Sequence, residues 1–127
     1  MAAATGPGDG RIPVLLAGAE AAGAGDAVLL EGDGALPPGA AERFSAAAGS
    51  HALGCVCCVP RSDAARALAR LFLARARGEV AFRRVVAVTS SPAGRAAVAA
   101  AVAGDVLASA RFRMAKAPPP APAQDFP

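Results

Sequence analysis

Three cysteines stand within four residues of one another, at Cys55, Cys57 and Cys58, and they are the only cysteines in the chain. Thiolates so closely spaced suit zinc or another borderline-soft metal ion. On a strand, Cys55 and Cys57 would share one face and Cys58 would point to the other. Pro60 indicates a bend, which would let two or three sulfurs converge on one ion. The cluster therefore predicts a metal site.

A tetrahedral zinc site needs one more ligand than three sulfurs supply. His51, the only histidine, lies shortly before Cys55 in the sequence. Glu31 is the other candidate, because it ends an apolar run that predicts a strand, and parallel strands bring their carboxyl ends to the same edge of a sheet. The residues alone leave both fourth ligands open.

Three other interpretations of the cysteines remain. Cysteine often packs as a small buried hydrophobe, in which case the cluster is structural. Thiol redox chemistry is disfavoured, since adjacent cysteines make a strained disulfide. A thiol enzyme would use Cys57 or Cys58 as nucleophile and His51 as base, but no third member of a triad is placed nearby.

The apolar pattern predicts an α/β fold in which helices alternate with strands and cover a mainly parallel sheet of about four strands on both faces. Ser62 and Ser91 are typical N-caps, Pro92 suits a first helical position, and Gly78 and Gly104 suit helix ends. Short apolar runs closed by turn residues predict strands at 12–17, 27–31, 52–57 and 84–89. The predicted helices are 62–77, 92–104, a short one at 105–113 and a weaker one at 39–48.

Length and composition favour one domain, at 11–114, between a disordered N-terminal tail (1–10) and a proline-rich tail (115–127). The net charge of +3 is carried by scattered arginines, and Trp and Tyr are absent, which argues against a nucleic-acid binder. No apolar run is long enough for a membrane span and no leader is visible. Closely spaced thiols fit a reducing compartment, so a cytoplasmic location is expected.

The segment Gly54-Cys55-Val56-Cys57-Cys58, followed by Arg61-Ser62-Asp63 and an amphipathic helix, resembles the Gly-Cys-x-Cys-Cys motif of the CobW-type GTPases. These are relatives of the urease and hydrogenase GTPases that supply metals to enzymes. The order of other family motifs also fits from about 11 to 114, with Ile12-Pro13-Val14 first, Leu30-Glu31 second and Val88-Thr89-Ser90-Ser91-Pro92 last. The resemblance implies a small three-layer, P-loop-like domain and a metal site at Cys55, Cys57, Cys58 and Glu31.

The phosphate loop of that family is degenerate here. The segment from Gly18 to Asp26 keeps glycines but has neither the lysine that contacts the phosphates nor the hydroxyl that binds Mg²⁺. Asp26 would also place a negative charge where phosphates should sit, and too few residues remain for the helix that should follow. We therefore expect no nucleotide cofactor and no GTP hydrolysis.

The sequence predicts a metal-binding module, with zinc or another divalent transition metal as its ion and no enzymatic activity. The alternative is a non-catalytic interaction protein that packs on a full-length relative or another partner through its helices and uses the cysteines structurally.

Overall fold

A computed structural model describes residues 10–46 and 62–115 of the 127-residue chain. The cysteine run, with the strand predicted at 52–57, lies outside the described residues, as do His51 and most of both predicted tails. The described elements alternate between strands and helices, so the predicted α/β class is confirmed. In chain order they are β1 (Ile12–Leu16), a 3₁₀ helix (Ala19–Ala21), β2 (Asp26–Glu31), β3 (Ala41–Phe44), α1 (Asp63–Ala76), β4 (Arg84–Val88), α2 (Pro92–Gly104), α3 (Val106–Arg111) and β5 (Phe112–Met114).

The five strands form one parallel sheet in the order β3-β2-β4-β1-β5. Its centre is β4, whose Val85, Val86 and Ala87 are all fully buried. Val86 lies opposite Val28 of β2, and Val85 lies opposite Val14 of β1. Side chains buried on both faces explain why this strand is a continuous apolar, β-branched run.

Two predictions about local structure are wrong. The segment 39–48 was expected to contain a helix, but Ala41–Phe44 is the edge strand β3, paired in register with β2. The helix expected at 105–113 ends at Arg111, and Phe112–Met114 pairs with β1. In both places the hydrogen bonds offered by a neighbouring strand outweigh the local helix preference of Ala, Glu and Arg.

Helix α1 follows its sequence signals closely. The Ser62 hydroxyl accepts a hydrogen bond from the amide of Ala65 at 3.1 Å, and Gly78 adopts a positive φ of 78° just beyond the helix. Leu68 and Leu71 are buried against the sheet, as predicted. Phe72 packs at the rim of the core, where its ring meets that of Phe112 edge-on at 6.4 Å.

The direction of each connection decides which face of the sheet it covers. The helices α1, α2 and α3 contact one another and pack on the face that carries Val14, Leu29 and Val85. The connections that contain these helices, from β3 to β4 and from β4 to β5, run in one direction across the sheet. The connections from β1 to β2 and from β2 to β3 run in the other direction and cross the opposite face. All four connections thus share one hand, as parallel crossovers almost always do. The opposite face is covered by the 3₁₀ helix and the segment 35–40.

Within 10–46 and 62–115, no helix is long and apolar enough to cross a membrane.

Candidate functional site at the carboxyl edge of the sheet

Glu31 ends β2 at the carboxyl edge of the sheet, beside the turn that joins β4 to α2. Its Oε1 accepts hydrogen bonds from the backbone amides of Ser90, at 2.7 Å, and Ser91, at 3.2 Å. Its Oε2 accepts a hydrogen bond from the Ser91 hydroxyl at 2.7 Å. The carboxylate therefore joins the end of β2 to the start of α2.

Ser91 links the Glu31 carboxylate to helix α2. As the N-cap of α2, its hydroxyl oxygen accepts a hydrogen bond from the amide of Gly94 at 3.0 Å, while Pro92 fills the first helical position. A Cβ built on Gly94 would overlap the Glu31 carboxylate, so the absence of a side chain allows the helix to approach. A carboxylate at a helix N-terminus is also favoured by the positive end of the helix dipole.

The same hydrogen bonds keep Glu31 ionised. The Ser91 hydroxyl contributes most, followed by the Ser90 amide, and together they hold the pKa of the Glu31 carboxyl below its ordinary value of 4.5 despite partial burial. Each carboxylate oxygen can accept about two hydrogen bonds. Oε2 accepts the bond from the Ser91 hydroxyl, and a hydrogen bond from the Ser90 side chain also helps to lower the pKa of this carboxyl.

The described residues on either side of the cysteine segment lie at this same edge. The amide of Gly32, next to Glu31, donates to the carbonyl of Phe44 at 2.9 Å. The amide of Ser45 donates to the Asp63 carboxylate at 2.7 Å, so the described residues on either side of the segment lie together. Asp63 is the first residue of α1.

Of the five predicted metal ligands, only Glu31 falls within the described residues, and Cys55, Cys57, Cys58 and His51 do not. Residues 10–46 and 62–115 hold no group of three or more His, Cys, Asp or Glu side chains that could bind a metal ion. β2, which Glu31 ends, pairs with β3 on one side and with β4 on the other.

The segment 18–26, which the resemblance identifies with a phosphate loop, contains the short Ala19–Ala21 3₁₀ helix. The expectation that Asp26 would repel phosphate there is wrong, because Asp26 begins β2 at the opposite, amino edge of the sheet. It forms a two-pronged ion pair with Arg84, with distances of 3.1 Å from Nε and 2.7 Å from Nη2. These bonds from Arg84, with a lesser contribution from the Gly23 amide, lower the pKa of the Asp26 carboxyl.

An apolar pocket that the sequence did not predict lies on the face of the sheet opposite α1, α2 and α3. It has a volume of about 490 Å³. Val28, Leu30 and Val88 form its floor, and Leu36 and Pro37 lie on its wall. Alternation along β2 and β4 predicts two apolar faces, but only the strand order shows that these three side chains meet.

No family model matches the chain, and no curated protein or solved structure matches it. The resemblance to the CobW-type GTPases therefore stays a prediction from the motifs.

Proposed function

We propose that this protein is a cytoplasmic metal-binding module that holds zinc or a similar divalent ion on Cys55, Cys57 and Cys58 and does not hydrolyse GTP. The observation that carries the proposal is the hydrogen bond between Ser45 and Asp63, which keeps both ends of the thiol-bearing segment at the edge occupied by Glu31. Thiols and an ionised carboxylate on one edge supply a donor set suited to zinc.

The chain between β3 and the cysteines is long enough for Glu31 to serve as a ligand of the same ion. Cys55 lies nine positions after Ala46, and an extended chain over nine positions spans about 30 Å. His51 lies closer to the cysteines along the chain and is the other fourth ligand in the proposal. Since a metal-binding carboxylate is usually hydrogen-bonded as well, the bonds from Ser90 and Ser91 would orient Glu31 toward an ion.

We infer that the protein does not hydrolyse GTP from the residues of the loop between β1 and β2. Between Gly18 and Asp26 the chain has no lysine to contact a γ-phosphate and no serine or threonine hydroxyl to bind Mg²⁺. The three-residue 3₁₀ helix also lacks the aligned amides that a longer helix presents to phosphate.

The test compares the metal-to-protein ratio of tag-free wild type with that of Cys55→Ser/Cys57→Ser after equilibration with zinc and removal of the free ion. We expect about one bound ion per wild-type chain and almost none in the variant. Glu31→Gln and His51→Gln then identify the fourth ligand by which of them weakens binding. Glu79→Gln is the matched control, because it makes the same change to an exposed carboxylate that is not among the proposed ligands.

The alternative function is an interaction module whose cysteines are structural. The apolar pocket over Val28, Leu30 and Val88 favours it, since an apolar surface of this kind is typical of ligand and protein contacts. Equal and near-zero metal content in wild type and in Cys55→Ser/Cys57→Ser would contradict the metal proposal and leave this one.

A further inference from the structure

A second pocket lies at the amino edge of the sheet, opposite the edge that carries Glu31. It has a volume of about 400 Å³ and is formed where β1 begins and where α1 and α3 end. The described residues that line it include three arginines, Arg11, Arg75 and Arg111, and no carboxylate. The remaining wall is largely apolar and includes Ile12, Phe72 and Ala110.

Uncharged groups hold the guanidinium groups of Arg75 and Arg111. Arg75 donates from Nε to the carbonyl of Phe82 at 2.8 Å and lies over the Phe82 ring, with Cζ 5.5 Å from its centroid. Arg111 lies over Phe72, with Cζ 5.0 Å from that centroid. Neither side chain forms an ion pair with another described residue. Each guanidinium has five N–H donors, so most donors of both groups remain for a ligand.

The negative ends of the helix dipoles offset only part of the positive charge of these arginines. Cations are favoured at helix C-termini, and α1 and α3 both end here. The two ends together contribute at most roughly one negative charge. The guanidinium groups of Arg75 and Arg111 alone exceed this by about one positive charge.

We propose that this pocket binds a small organic phosphate. Arg75 and Arg111 donate hydrogen bonds to the phosphate oxygens. Arginine suits phosphate because its planar fork can bond two oxygens at once, and a phosphate monoester carries close to two negative charges at neutral pH. The volume suits a small molecule, and Phe72, Ile12 and Ala110 provide apolar contact for its organic part.

The test is a calorimetric titration of the full chain with phenyl phosphate, and with benzoate as a monoanion that has the same ring. We expect saturable binding of phenyl phosphate and weaker binding of benzoate by about tenfold or more, because fewer charge-assisted hydrogen bonds form. Arg75→Gln and Arg111→Gln should each weaken phenyl phosphate binding by about tenfold. Arg95→Gln removes the same charge from an exposed position on α2, outside the pocket, and should change the affinity less than about twofold.

Two further measurements check that the variants fold and that the ligand binds in this pocket. Circular dichroism of each variant checks folding, and Arg111→Gln serves if loss of the Arg75 contact to Phe82 unfolds the chain. Amide shifts of Ile12 and Ala110 on addition of phenyl phosphate would place the ligand in this pocket. Non-saturable binding, equal affinity for benzoate, or equal losses in Arg111→Gln and Arg95→Gln would overturn the proposal. Tighter binding of a short oligonucleotide than of phenyl phosphate would also overturn it in favour of a nucleic-acid surface.

Discussion

The Ser91 hydroxyl donates a 2.7 Å hydrogen bond to Oε2 of Glu31, although the two residues are 60 positions apart in the chain. The same hydroxyl accepts from the Gly94 amide, so a strand end and a helix start share one hydrogen-bonded group. The contact exists because β2 and β4 are neighbours in the sheet and their carboxyl ends meet. It gives Glu31 a structural role that is independent of any metal.

The stability of the fold should fall in acid through Glu31. Its pKa is lower in the folded chain than its ordinary value of 4.5, so its contribution is complete above that pH and is lost as the pH drops through the folded value. Glu31→Gln should cost about 1–3 kcal/mol at neutral pH and should show a shallower loss between about pH 5 and pH 3. Urea unfolding across this range measures both effects.

Glu79→Gln is the control for this experiment, because the Glu79 carboxylate is exposed and lies 3.9 Å from Arg77. Its stability at neutral pH should match that of wild type. An acid dependence in Glu31→Gln as steep as that of wild type would show that the Ser90 and Ser91 bonds do not couple Glu31 to folding.

Replacing Gly94 by alanine should destabilise the protein, although alanine is the better helix former. The new methyl group would overlap the Glu31 carboxylate, which its three hydrogen bonds hold in place, at a cost of about 1–3 kcal/mol. Gly104→Ala, in the last turn of the same helix, meets no atom within 4 Å and should be neutral or stabilising by up to about 1 kcal/mol. Thermal unfolding of the two variants separates the steric effect from helix propensity, and a stabilised Gly94→Ala would contradict the packing described.

Two leucines of α1 should differ sharply in their contribution to stability. Leu71 is 2% exposed, and Leu71→Ala should cost about 2–5 kcal/mol through lost burial and the cavity that remains. Leu73 is 45% exposed, and Leu73→Ala should cost about 1 kcal/mol or less. Denaturant unfolding checks both, and similar losses would mean that α1 does not pack on the sheet through Leu71.

The ion pair of Asp26 and Arg84 should show measurable coupling. Its carboxylate is 11% exposed and bonded at 2.7 Å, so a double-mutant cycle with Asp26→Asn and Arg84→Gln should give about 1–2 kcal/mol. The exposed pair of Arg77 and Glu79, at 3.9 Å, should give about 0.5 kcal/mol or less by the same cycle. Equal coupling energies for the two pairs would show that burial adds nothing to the first.

Local signals in the sequence determined much of the secondary structure. Ser62 and Ser91 cap the helices they were expected to cap, because a short hydroxyl side chain can satisfy a free amide without help from the rest of the fold. The runs at 12–17, 27–31 and 84–89 are strands, since continuous β-branched and aliphatic residues suit a sheet buried on both faces. The buried stripe of α1 follows from helical periodicity alone.

The tertiary structure decided what depends on contacts between distant residues. β3 and β5 are strands because β2 and β1 offer them backbone hydrogen bonds, whereas their own residues favour a helix. Asp26 lies at the amino edge and Glu31 at the carboxyl edge because they begin and end the same strand, and only the strand order pairs them with Arg84 and Ser91. Arg75 and Arg111 line one pocket because α1 and α3 end side by side. Tertiary packing decides this placement, and no local sequence pattern predicts it.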